Sequence, residues 1–182
     1  MPEVLGVTGM PLAGKTTVAD ILRKQGYEKV DMGDVVRSEM DARDIPVEKT
    51  AEFVNSQRKA YGQSAIARLT VPRIQNALED SDKVVVTGMR STEEHDRFQE
   101  ELGVDMDIVA VWASVETRRQ RMQNRGREED ERGQEFEERD QREIENGVAE
   151  LVALSDHLIK NESTDEEDLN KKVRAAWQNT MH

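Results

Sequence analysis

The sequence predicts a three-layer α/β domain built on a five-stranded parallel sheet, and three observations carry that expectation. Short apolar, β-branched runs alternate with stretches of helical periodicity along the chain. A glycine-rich turn, within VTGMPLAGKTTVADIL from Val7 to Leu22, joins the first such run directly to the first helical pattern. The 182 residues suffice for one sheet covered on both faces, with no second domain required.

Each element has its own reason. EVLGVTG, from Glu3 to Gly9, reads as a short buried strand, and the spacing of Val18, Ile21 and Leu22 marks one face of a helix ending near Gly26. YEKVDMGD offers a second strand. A long, mostly helical stretch follows, broken around Pro46 and Pro72. KVVVTGM, Lys83 to Met89, is a continuous β-branched run and so a central strand. STEEHDRFQEEL carries a capping signature, Ser91 or Thr92 with acids in the first turn, and makes a short helix. MDIVAVWA, Met106 to Ala113, is the next buried strand, and the pattern from Val115 to Leu154 is helical with a highly charged middle from Arg125 to Arg142. HLIKN gives the last strand and EEDLNKKVRAAWQ the closing helix. In such a sheet ligands bind at the carboxyl ends of the strands.

Composition narrows the function classes. There is no cysteine, so disulfides and thiolate metal sites are excluded, and His95, His157 and His182 are too far apart in sequence to resemble a metal-ligand cluster. No run approaches the ~18 apolar residues of a membrane span, and Met1 leads straight into the first strand, which fits a soluble cytoplasmic protein. Asp and Glu number 38 against 26 Lys and Arg, a net charge of −12 that repels nucleic acid over most of the surface. The acid excess is spread along the chain, as in a protein from a salt-loving cytoplasm, with an ordinary acidic cytosolic protein as the alternative.

Gly9, Gly14, Lys15 and Thr16 fit G-x-x-x-x-G-K-[ST] between a strand and a helix. Glycines let successive backbone N–H groups turn inward onto phosphate oxygens, at the positive end of the following helix. The candidate nucleotide cradle is therefore Gly9, Met10, Pro11, Leu12, Ala13, Gly14, Lys15, Thr16 and Thr17, with Lys15 reaching the β- and γ-phosphates and the Thr16 hydroxyl a ligand for Mg²⁺.

These residues resemble the nucleoside monophosphate kinase group, which includes adenylate kinase and dephospho-CoA kinase, and most closely an archaeal family related to both. The resemblance implies a P-loop NTPase fold with a core of residues 1–33, 81–120 and 143–182, an acceptor-binding insertion at about 34–80 and a lid at about 121–142. It implies ATP and Mg²⁺ as cofactors and a small nucleotide acceptor. GDVVR supplies Gly33, Asp34 and Arg37, and TGMR supplies Thr87, Gly88 and Arg90. Arg37 and Arg90, expected to face the loop, suit acceptor-phosphate clamps, because a guanidinium fork binds phosphate bidentately. RMQNR opens the lid with Arg121 and Arg125, followed by Arg127, Arg139 and Arg142. By resemblance Arg121 packs on the donor base, Arg125 and Arg139 touch phosphates, and Asn161 in SDHLIKNES contacts adenine or simply forms a turn.

One departure has chemical content. Thr87 stands where many of these kinases carry an acid that orients the water shell of Mg²⁺, leaving Asp34, and less securely Asp31, as the nearest acids. Asp34 is a candidate general base, a through-water metal contact, or an N-cap for a helix starting near Val35. The expected activity is phosphoryl transfer from ATP to a nucleoside monophosphate such as AMP. The alternatives are phosphorylation of a ribose 3′-hydroxyl as in dephospho-CoA kinases, and a slow ATPase acting as a switch or assembly factor.

Overall fold

The structure, a computed structural model, describes residues 2–125, 133–162 and 165–178. Strands β1 (Glu3–Thr8), β2 (Glu28–Asp31), β3 (Lys83–Thr87), β4 (Met106–Trp112) and β5 (His157–Lys160) form one parallel sheet in the order β2-β3-β1-β4-β5. Nine α-helices are described around it: α1 (Lys15–Lys24), α2 (Met32–Asp41), α3 (Thr50–Tyr61), α4 (Ala65–Asp80), α5 (Thr92–Leu102), α6 (Val115–Arg125), α7 (Gly133–Asn146), α8 (Val148–Ala153) and α9 (Glu166–Gln178). A single 3-10 turn lies at Val47–Lys49. Among the described residues no helix is long and apolar enough to cross a membrane.

The period-two alternation of the strands sorts their side chains into two cores, one on each face. On one face Leu5 and Val7 of β1, Val85 of β3 and Val109 and Val111 of β4 meet Val18, Ile21 and Leu22 of α1 and Leu169 and Val173 of α9. On the other, Val4, Val84, Val86 and Ile108 meet Val36 of α2, Ile74 of α4, Phe98 of α5 and Leu151 of α8. β1 lies between β3 and β4, buried on both faces, and the loop that follows it opens where all five parallel strands end.

Two sequence expectations are corrected. Pro72 does not break the chain: α4 runs through it, forgoing one backbone bond, because Val71 and Ile74 are buried in the core on either side. The burial of such side chains, about 1.5–3 kcal/mol each, offsets the ~3 kcal/mol that an internal proline costs. Within the helical pattern from Val115 to Leu154 the described helices are α6, α7 and α8, the last two parted at Gly147. The helix after β2 starts at Met32, and its N-cap is Asp31, whose Oδ1 accepts the Asp34 N–H at 3.0 Å. Asp34 is thus a first-turn acid, where it favours the helix dipole, and not the cap.

Candidate functional site

The loop between β1 and α1 is forced into shape by its neighbours. Gly9 has φ 143°, and a Cβ there would lie 2.2 Å from the Val111 carbonyl oxygen, so only glycine lets β1 turn this close to β4. Gly14 has φ 104° and is the N-cap of α1, which receives no side-chain capping bond. The first-turn N–H groups of α1 therefore face the loop's concavity, as an anion site requires. Lys15 folds across this concavity, its Nζ donating to the carbonyls of Gly9 at 2.7 Å and Met10 at 3.0 Å.

The back of the loop is braced from the other end of the chain. Leu12 holds a left-handed φ of 65°, a conformation costing a branched residue of order 1–3 kcal/mol. Arg121 of α6 donates to the carbonyls of Leu12 at 3.0 Å, Ala13 at 3.1 Å and Asn161 at 2.8 Å. The Asn161 side chain, buried just beyond β5, donates to the Ala13 carbonyl at 2.8 Å. The carbonyls of Leu12 and Ala13 are thereby held from outside the loop. In this arrangement the Arg121 guanidinium and the Asn161 amide both hydrogen-bond the backbone of the loop.

Charge gathers around Lys15 from several segments. Burial pushes its ammonium down to about 8, Arg139, Arg90 and Arg118 push the same way, and the Glu143 carboxylate opposes them. Arg90 lies just beyond β3, its backbone N–H held at 2.7 Å by Oε2 of Glu94, a buried carboxyl in the first turn of α5. Desolvation raises the pKa of Glu94, against the pull of that bond and of Arg58. The side chain of Arg90 reaches Glu143 of α7, Nε to Oε2 3.1 Å. Arg139 precedes Glu143 by one helical turn on the same face of α7.

α7 is fastened to the loop by Arg118. This arginine is 3% exposed, pairs bidentately with Asp140 at 2.6 Å and 2.6 Å, and donates to the Pro11 carbonyl at 3.3 Å. Its guanidinium stands 5.1 Å from the ring centre of Phe136, which packs with Leu12 and Met122 into a small apolar cluster. Arg139 and Arg142 line a cavity of about 510 Å³ between this cluster and the outer face of α7.

At the ends of β2 and β3, which pair Asp31 with Thr87, the Thr87 hydroxyl donates to Asp31 Oδ2 at 2.6 Å. A carboxylate from the neighbouring strand thus stands beside the position where the third-strand acid is missing. Arg37 rises from α2 just beyond the end of β2. It is exposed and paired with Asp34 Oδ1 at 2.5 Å and Asp31 Oδ1 at 3.8 Å, because α2 turns its polar face outward while Val36 and Met40 enter the core.

The structure therefore places Lys15, Thr16 and Thr17 in the first turn of α1, joins Arg90 to Glu143 of α7, and pairs Arg37 with Asp34. The side chain of Arg125 and all of Arg127 lie outside the described residues. Arg118, Asp140 and Glu143 were not singled out from the sequence. Their signal was the spacing of Phe136, Asp140 and Glu143, one face of a helix, concealed among surface-type charges.

Over residues 5–146 the chain matches the family described as an AAA domain. It is 36% identical over 174 residues to a UPF0200 protein of Pyrobaculum aerophilum, covering 95% of each chain. It is 38% identical over 169 residues to a UPF0200 protein of Thermococcus sibiricus, covering 88% of this chain and 86% of that one. Among solved structures, the crystal structure of TT1252 from Thermus thermophilus superposes with a TM-score of 0.73 over 100% of this chain and 98% of the other. At 17% identity that is a likeness of fold.

Proposed function

The chain belongs to the AAA-domain family and to the UPF0200 proteins, and from that premise we propose that it is an ATP-dependent phosphotransferase acting on a small nucleotide acceptor, most simply a nucleoside monophosphate such as AMP. The observation that carries this reading is the Arg90–Glu143 pair, 3.1 Å, which joins the end of β3 to α7 next to a loop lysine on which the charges of Arg90, Arg139 and Glu143 all act. A protein that only held a nucleotide needs the loop and Lys15. A transferase needs further cations on the far side of the γ-phosphate, where charge spreads over the equatorial oxygens of the transferring group.

In this reading the N–H groups of Gly14 to Thr17 and the Lys15 ammonium bind the donor phosphates, and Arg90 and Arg139 orient the acceptor and neutralise developing charge. The residues fit Mg²⁺ in the way such sites hold it, through nucleotide phosphates and the Thr16 hydroxyl, since among the described residues no group of three or more metal-ligating side chains stands together. Bound Mg²⁺ would supply charge neutralisation on the β- and γ-oxygens. α7, tethered through Arg118 and Phe136, serves as the lid that excludes water.

The contact between Asp31 and Thr87 favours one second reading. A carboxylate at the carboxyl end of β2 is placed to take a proton from an acceptor hydroxyl, which supports ribose 3′-phosphorylation of the dephospho-CoA kinase kind. Both readings are tested by ADP release from ATP and Mg²⁺ in high potassium chloride, with AMP, CMP, UMP, GMP and dephospho-CoA supplied separately. Strong stimulation by one acceptor, with its phosphorylated product seen by mass spectrometry and lost in Lys15→Ala, is the expected result. A flat response with slow Lys15-dependent hydrolysis would instead make the protein an ATPase switch.

A further inference from the structure

Glu143 is hard to account for as a surface acid. Its side chain is 13% exposed and meets Arg90 Nε at 3.1 Å, and its charge opposes the arginines that act on Lys15. Most other acids of α7 behave differently: Glu137 is 71% exposed and pairs along the surface with Arg119, and Glu138 is exposed. Asp140 is spent on Arg118 in a bidentate pair. Glu143 instead meets Arg90, and Arg90 is fixed from behind by the Glu94 carboxyl on its backbone N–H. A cation held in place by its main chain, whose side chain is neutralised by an acid from a helix on another segment, has the arrangement of a clamp already closed on an anion.

We propose that Glu143 is an internal stand-in for a phosphate: its carboxylate holds Arg90 at the edge of the cradle and is displaced from it by a phosphate-bearing acceptor. This rests on the kinase reading and deepens it by naming the class of acceptor. To take Arg90 away from a partly buried carboxylate, a ligand must offer more charge and more acceptor oxygens than the carboxylate does. A phosphomonoester dianion, with three oxygens for the guanidinium fork, meets that condition. A neutral sugar hydroxyl does not. The Glu143–Arg90 pair therefore favours acceptors that carry a phosphate.

The energetic form is that of an occluded site: the apparent affinity for the anion is the intrinsic affinity scaled by the fraction of protein in which Arg90 is not already paired. Removing the competing charge while keeping the size of the side chain should raise that fraction to one. For Glu143→Gln the expected gain in affinity for inorganic phosphate, measured by titration calorimetry on the full chain without nucleotide, is on the order of tenfold, the range of partly buried ion pairs. In the double variant Glu143→Gln, Arg90→Gln the gain should vanish, since the cradle has lost its clamp.

Unchanged or weaker phosphate binding in a folded Glu143→Gln protein, checked by circular dichroism and melting temperature, would overturn the proposal and make Glu143 a prop that only orients Arg90. So would a gain that survives in the double variant. Because the measurement needs no turnover, it separates from the kinase reading. Acceptor-dependent ADP formation with no gain in phosphate affinity sinks the stand-in alone, and a gain without any acceptor-dependent turnover sinks the kinase alone.

Discussion

Lys15 illustrates how one residue draws its chemistry from the whole fold. As the first residue of α1 it is placed by the loop, but its ammonium is pushed down to about 8 by burial and by Arg139, Arg90 and Arg118. Binding a phosphate restores the charged form, so nucleotide binding takes up protons once the free protein has begun to lose them. Affinity for ATP should therefore hold steady below about pH 8 and fall by up to tenfold per unit above it, as calorimetry in buffers of different ionisation enthalpy would show. The stability contribution has the opposite sign. The folded state holds this proton less tightly than the unfolded chain, so between about 8 and the ordinary value of 10.5 the unfolded state binds more protons and stability from this group rises with pH. Loss of affinity with no loss of melting temperature across that window is the signature, and parallel loss of both would refute it. The lysine, threonine and glycines of the loop were legible in the sequence because their spacing is local. The depressed pKa was not, since its causes come from residues far along the chain.

At the scale of elements, the decisive piece is α7. Its sequence, GQEFEERDQREIEN, has the composition of a solvated helix laced with ion pairs, and Glu137 fits that description. One face differs: Phe136 packs on Leu12 and Met122, Asp140 receives the buried Arg118, and Glu143 meets Arg90. Removing one member of a buried pair leaves an uncompensated charge, which costs about 3–5 kcal/mol. Arg118→Ala should thus lower stability by about that amount and release α7, read as faster amide exchange in α7 and weaker binding of ATP, while Arg119→Ala at the exposed pair changes stability by less than ~1 kcal/mol. Equal effects from the two variants would show that α7 is not anchored through Arg118. A buried arginine and an exposed one are the same letter in adjacent positions, so no composition rule distinguishes Arg118 from Arg119.

For the whole molecule, a net charge of −12 on 182 residues sets self-repulsion against folding. Salt screens that repulsion, with a Debye length of about 3 Å at 1 M. Melting temperature should therefore rise by several degrees as potassium chloride is raised from about 0.1 M to about 1 M or more. A flat or falling melting temperature would show that the acid excess is balanced locally by the ion pairs that line the helices.

The sequence by itself determined the sheet, the number of strands and the phosphate loop, because strand alternation, β-branched runs and the glycine–lysine spacing act between neighbours in the chain. It misplaced the start of α2, which Asp31 caps, and read a break at Pro72 where core burial carries α4 through. Only the tertiary structure decided which charges work together: that Arg121 and Asn161 brace the loop, that Arg37 pairs with Asp34, and that Arg90 meets Glu143. The physical reason is range. Hydrogen bonds, caps and periodicity are written within a few residues of each other, whereas the electrostatics of a site are summed over whatever the fold brings within a few ångströms, and here that sum is taken across segments more than 100 residues apart.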